Sequence, residues 1–251
     1  MSSLTISLVA FAFIFGGALA GMILRTSLPD HHLSAESKEV VKLGMGLVGT
    51  MAALILGLLV ASAKSSFDAQ SSELTQASAN IVVLDRVLAQ YGPDAREVRE
   101  ILHRAVAQII EDTWSHSPRA SSQFGGASSG SGIFLEKIQA LPAETEFQRA
   151  MKSHAWNMAL NLLQTRWLLY EQGANSVSKP MVIIMVFWLT IVFVSWGLLA
   201  PRNSTVVATL FTAALSVSGA IFLILEMYNP YSGVIQISKA PLQSALALLG
   251  H

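Results

Sequence analysis

Four stretches of this chain each run for about 20 residues with no charged side chain in their interior: Leu4 to Leu24, Val40 to Ala63, Met181 to Leu199 and Thr205 to Met227. A helix rising ~1.5 Å per residue needs that length to cross a ~30 Å hydrocarbon core. Lipid offers no hydrogen bonds to a backbone, so a spanning segment of this kind must satisfy its own amides as a helix. Charges return at the borders with Arg25, Lys42, Lys64, Lys179 and Arg202, and Glu226 stands at the far end of the fourth stretch. Composition agrees: 52% of residues are hydrophobic and 13% charged, against roughly 25% charged in an ordinary soluble domain. The expected architecture is therefore all-α and polytopic, with four transmembrane helices and the lipid bilayer as its first partner. Within the first stretch, Ala18-Leu19-Ala20 has the form of a signal-peptide cleavage site. No Lys or Arg precedes it, however, and the apolar run exceeds a typical signal core, so it reads as a retained span.

An even number of spans puts both termini on one side together with the long segment from Lys64 to Lys179. The organisation expected is residues 1–63 as spans one and two, 64–179 as a soluble helical domain, 180–228 as spans three and four, and 229–251 as a tail. The near-membrane Lys and Arg counts tie across the two sides, so the positive-inside rule leaves orientation open. No Gly or Pro interrupts Leu58 to Gln90, so the second span should continue as helix into water. A seam at alternating three-and-four spacing runs Gly46, Gly49, Ala53, Leu56, Val60, Ala63, Phe67, Gln70, Leu74, Ala77, Ile81, Leu84, Leu88, Tyr91. Small residues in its lipid half suit close helix approach. Large apolar ones in its aqueous half suit packing by water exclusion. Gly92-Pro93 ends that helix. Further helices are expected from Asp94 to His116, with a stripe of Val98, Ile101, Leu102, Ala105 and Ile109, and near Phe134 to Gln139. Another should run from Ala143 to Gln172, with a stripe of Trp156, Leu160, Leu163, Trp167 and Tyr170. Ser117 to Gly132 is Ser/Gly-rich and reads as a flexible loop. Pro241 opens a short helix with Leu242, Leu246 and Leu249, expected to dock on the soluble bundle rather than to lie on lipid.

Chemistry-bearing motifs are few. Gly44-Met45-Gly46-Leu47-Val48-Gly49 matches G-x-G-x-x-G, but it lies inside an apolar span with no strand before it, so helix packing is the better account. Gly126-Ala127-Ser128-Ser129-Gly130 matches the nucleophile elbow inside low-complexity sequence, where a chance match is expected. The sequon Asn203-Ser204-Thr205 abuts the membrane and carries no weight. The histidines His31, His32, His103, His116, His154 and His251 show no i, i+4 metal spacing, and Glu111-Asp112 and Glu144/Glu146 look like solvated helix faces. There is no cysteine, which removes disulfides and thiolate chemistry. Zero formal net charge argues against nucleic acid. No enzyme motif, cofactor or metal is expected. Thr209, Thr212, Ser216 and Gly219 share a face of the fourth span, and their hydroxyls should bond back to their own helix.

Several stretches resemble the bestrophin-like domain family of bacterial membrane proteins. They are GLVGTMAALILGLLVASAKSSFD from Gly46 to Asp68, the L-x-x-YGP-x-A pattern from Leu88 to Ala95, Trp196 to Asn203 running on into the fourth span, and Pro230 to Ser238 followed by Ala240-Pro241-Leu242. The resemblance implies a homo-oligomer such as a pentamer, an ion pathway on its axis lined by the second span, and a bacterial inner-membrane protein with termini and soluble region in the cytosol. The acidic calcium clasp and aromatic neck of bestrophins are not found here. An ion channel, with anions as the expected ions, is thus set beside a non-conducting scaffold or sensor whose soluble domain binds a partner. The pore-lining candidates are Thr50, Leu54 and Leu58, with Lys64 at the soluble-side mouth. They lie opposite the packing positions Gly46, Gly49, Ala53, Phe67, Leu74 and Ile81.

Overall fold

A computed structural model describes residues 2–27, 35–114, 128–174 and 179–250. Among these the chain is helical, with no strand: α1 (Ser3–Leu24), α2 (Ala35–Tyr91), a 3-10 turn (Pro93–Ala95), α3 (Arg96–Trp114), α4 (Ser128–Ala140), α5 (Glu146–Ala174), α6 (Lys179–Leu199), α7 (Ser204–Met227) and α8 (Ala240–Leu248). Helices α1, α2, α6 and α7 are long and apolar enough to cross a membrane. Helix α4 begins at Ser128, so the expected Ser117 to Gly132 loop is helical in its last residues; the rest of it lies outside the described residues, as do His31, His32, His116 and His251. The chain divides into two compact units, one of residues 1–66 and 176–228, the other of 67–175 and 229–251. Helix α2, 57 residues long, belongs to both.

In the first unit α1, α6 and α7 pack around Ala10, Ile14, Ala18, Met185, Leu189, Phe193, Leu210, Ala214 and Ile221, joined by Ala52, Leu59 and Ala63 of α2. Helix α1 starts at Ser2, whose hydroxyl accepts from the Thr5 amide at 3.2 Å, the usual N-cap arrangement. Its crossing with α6 is set by glycine. A Cβ on Gly21 would collide with the Val194 carbonyl, one on Gly197 with the Ala18 carbonyl, and one on Gly17 would lie 2.9 Å from Thr190 Cγ2. Backbone therefore meets backbone, the close approach that small residues permit where no hydrophobic force acts between helices in lipid. Residue numbers rise together along this crossing, so α1 and α6 run parallel and end side by side.

Two parallel helices bring two sets of unsatisfied C-terminal carbonyls, each with partial negative charge, to the same place. An exchange of arginines answers both. Arg25, just past α1, donates to the carbonyl of Ala200 beyond α6. Arg202 donates from Nε and Nη2 to the Met22 carbonyl in the last turn of α1, at 3.1 and 2.6 Å. Helix α7 then starts at Asn203, whose Oδ1 accepts from the Val206 amide at 2.8 Å. Phe211 of α7 meets Phe11 and Phe15 of α1 edge-on at 5.4 and 5.3 Å.

The second unit is a helical bundle with its own core of Leu74, Ile81, Leu84 and Leu88 from α2, Val98, Leu102 and Val106 from α3, Phe134 and Ile138 from α4, and Ala155, Ala159 and Leu169 from α5. Gly92 turns the chain from α2 toward α3 with φ at 119°, a value that favours glycine, and Pro93 opens the following turn. The buried face of α5 follows the expected stripe only in part: Trp156 packs against the core. Trp167 is 53% exposed and Leu160 lies at the surface, while Ala155, Ala159 and Leu169 are buried with Leu162 packed against them. Tyr170 lies outside the described side chains. Helix α5 packs beside α4, and its inward face mixes the alanines with larger residues, Trp156 among them. The tail belongs to this unit: Ile237, Leu242 and Leu249 enter its core, and the Trp114 indole N–H donates to the Ile237 carbonyl at 2.9 Å.

Candidate functional site

The lipid half of α2 touches its own chain along one narrow stripe. Ala52, Leu59 and Ala63 are buried, with Ile55, Leu56 and Val60 packed beside them. Of its most apolar window only 11% is buried, against 33, 28 and 28% for α1, α6 and α7. Most of the remainder of its circumference is exposed among the described residues. Thr50 is exposed, its hydroxyl bonded back to the Gly46 carbonyl at 2.8 Å. Leu54 and Leu58 are 65 and 63% exposed. Lys64 is exposed about two turns beyond Leu58, which sets Thr50, Leu54, Leu58 and Lys64 along one side of the helix.

The small-residue seam sits differently from Ala63. Gly46 and Ala53 are exposed and Gly49 half-buried, and a Cβ on Gly46 or Gly49 would meet nothing within 4 Å. Among the described residues the buried contact stripe falls one position round, on Ala52 and Leu59. Below the lipid half the seam turns inward: Leu74 and Ile81 are buried in the bundle core and Phe67 packs against it. Those three are packing positions inside a single chain. Gly44 to Gly49 lies within continuous helix, which excludes a dinucleotide-binding loop.

The fourth span also leaves a face open. Thr209, Thr212 and Ser216 are exposed, and each hydroxyl bonds back to a carbonyl four residues earlier at 2.9 Å, as expected of hydroxyls in lipid. Glu226 is buried at the end of α7, and the Tyr228 hydroxyl stands 3.5 Å from Ser62 of α2. Among the described residues no group of His, Asp and Glu is arranged to hold a metal ion.

The glycine contacts of α1 and α6 escape a reading of seam and length. Gly17-x-x-x-Gly21 is a sequence signal that points to them; Gly197, with no small partner at that spacing, gives none. The arginine exchange is equally hidden, because Arg25 and Arg202 look like ordinary border charges.

In the bundle, Asp85 is buried and takes a two-point contact from Arg99, Nε to Oδ1 at 2.7 Å and Nη2 to Oδ2 at 2.8 Å. That hydrogen bond holds the Arg99 guanidinium above its ordinary pKa. The Gly250 amide reaches Asp85 Oδ2 at 3.4 Å, bringing the tail onto the same carboxylate. The Tyr231 ring lies edge-on to Trp114 at 5.7 Å, and its phenol is pushed up to about 12, first by burial and then by the charge of Glu73.

Four apolar helices, and a second unit that is a helical bundle, define a polytopic helical membrane protein. The bestrophin-like domain model matches residues 12–242, and the chain belongs to that family. Its fold is similar to two crystal structures of a bacterial bestrophin homologue from Klebsiella pneumoniae. The first, carrying a tryptophan-to-alanine substitution, is 13% identical, with 99% of this chain and 97% of that one covered and a TM-score of 0.71. The second, carrying an isoleucine-to-threonine substitution, is 12% identical over 96 and 97% of the two chains, with a TM-score of 0.68. No curated protein sequence matches.

Proposed function

We propose that this protein forms a homo-oligomeric ion channel, a pentamer on the bestrophin pattern, in a bacterial inner membrane, with the second span beside the axis and its termini and soluble domain in the cytosol. The observation that carries the reading is the exposed face of α2 in its lipid half, where Leu54 and Leu58 are 65 and 63% exposed and, among the described residues, a Cβ on Gly46 or Gly49 would meet nothing within 4 Å. One side then has room for a neighbouring copy and the other for a pathway. A ring of leucines gates by dewetting, and a ring of Lys64 at the mouth raises the local concentration of anions. Recording in planar bilayers tests it. Leu54→Ser should raise conductance several-fold, and Lys64→Glu should shift selectivity toward cations, more at low salt than at high. A silent wild-type oligomer in those recordings overturns the channel reading.

The scaffold or sensor reading has its own observation: Trp167 and Leu168, 53 and 55% exposed in the last turns of α5. An exposed aromatic beside a leucine is a common anchor for a partner. Wild-type silence together with capture of a specific protein, lost in Trp167→Ala, would favour it.

A further inference from the structure

An open hollow of about 530 Å³ lies at the membrane end of the first unit, between the last turns of α1 and the first turn of α7. Its volume falls in the ~300–1,000 Å³ range of small-molecule sites. Leu19, Met22, Ile23 and Val207 give it an apolar floor, and Arg202 and Ser204 stand on its rim with Asn203. Among the described residues no acidic side chain lines it. Arg202 is fixed in place, since Nε and one Nη2 hydrogen are held by the Met22 carbonyl. A guanidinium has five N–H donors in one plane, so the outer ones remain for an anion, and phosphate geometry matches that fork. Arg25 lies outside the lining, bonded to the Ala200 carbonyl, so Arg202 is the cation of the hollow. The hollow also sits where two spans end and charge returns, the depth of lipid headgroups.

We propose that this hollow is a binding site for an anionic phospholipid. Its phosphodiester sits on Arg202 and the Ser204 hydroxyl, and the first segment of one acyl chain lies along Leu19, Ile23 and Val207. The apolar floor and the fixed cation share one opening, and a phospholipid carries both complements in one molecule.

Native mass spectrometry of the full chain from mild detergent, titrated with phosphatidylglycerol or phosphatidylcholine, tests the site. The first phosphatidylglycerol should bind at least tenfold more tightly than phosphatidylcholine. Val207→Trp, which fills the floor and leaves the Met22 contact intact, should weaken that step about tenfold, whereas Leu215→Trp, on an exposed part of the same helix, should not. Arg202→Gln should abolish the preference for the anionic lipid. If it instead destabilises the helix ends, Val207→Trp decides alone. Equal phosphatidylglycerol binding in Val207→Trp and wild type overturns the site. Displacement of the lipid by millimolar inorganic phosphate overturns the lipid in favour of a free anion.

Discussion

Asp85 and Arg99 show what one buried pair does in this bundle. The carboxylate is 1% exposed, and its two oxygens take two guanidinium N–H groups and approach the Gly250 amide. Removing one partner leaves the other charge without compensation, which typically destabilises by roughly 3–5 kcal/mol. Arg99→Ala should lower thermal stability by roughly 3–5 kcal/mol, because the Asp85 carboxylate it leaves behind is buried. Unfolding of the pair variant Asp85→Leu with Arg99→Leu should be milder, since no buried charge is left behind. Tyr231 gives a pH effect with a definite sign. Its folded pKa, about 12, lies above the ordinary value of 10. Its contribution is therefore fully present below pH 10 and is lost as pH rises from 10 through about 12. Thermal melts over that window should fall more steeply for wild type than for Tyr231→Phe. Neither residue was legible in the sequence as special. Asp85 stands among ordinary helix formers, and only a partner 14 residues away, beyond a turn, gives it meaning.

At the scale of helices, two kinds of glycine stand in the spans, and they should behave differently. Gly21 and Gly197 sit where backbone meets backbone, whereas Gly46 and Gly49 face open space in the single chain. Gly21→Leu should separate α1 from α6 and collapse the yield of folded protein. Gly49→Leu should leave the chain folded, and on the oligomer reading it should shift the species seen by size analysis in mild detergent toward monomer. A wild type that is already monomeric would refute that reading. The spans themselves were legible because lipid imposes a length and an absence of charge that few other demands mimic. The aqueous half of the α2 seam was legible for a similar reason, since large apolar residues at regular spacing must leave water. The inward face of α5 was legible only in part. Of the stripe Trp156, Leu160, Leu163 and Trp167, Trp156 packs against the core, whereas Leu160 and Trp167 are exposed and Ala155 and Ala159, which no hydrophobic scale would favour over them, are buried. That competition is decided by the neighbour, which the segment does not encode.

For the molecule as a whole, four spans require that residue 27 and residue 144 lie on opposite sides of the membrane. The absence of native cysteine makes this directly measurable. Ser27→Cys and Glu144→Cys in intact cells should react oppositely with an impermeant thiol reagent, and on the proposed orientation only Ser27→Cys should label from outside. Labelling of both from one side would refute the span count. Labelling of Glu144→Cys alone would refute only the orientation.

The exchange of arginines between α1 and α6 sets a schedule for biogenesis. Arg25 leaves the ribosome 177 residues before Arg202 (202 minus 25), and at roughly 5–20 residues per second that is an interval of about 9–35 s. Through that interval α1 rests in the bilayer with Gly17 and Gly21 bared to lipid and its final carbonyls without their guanidinium. The first span must therefore wait as an unfinished half while the entire aqueous domain is made. Any insertase or quality-control protease that inspects nascent spans meets it in that state.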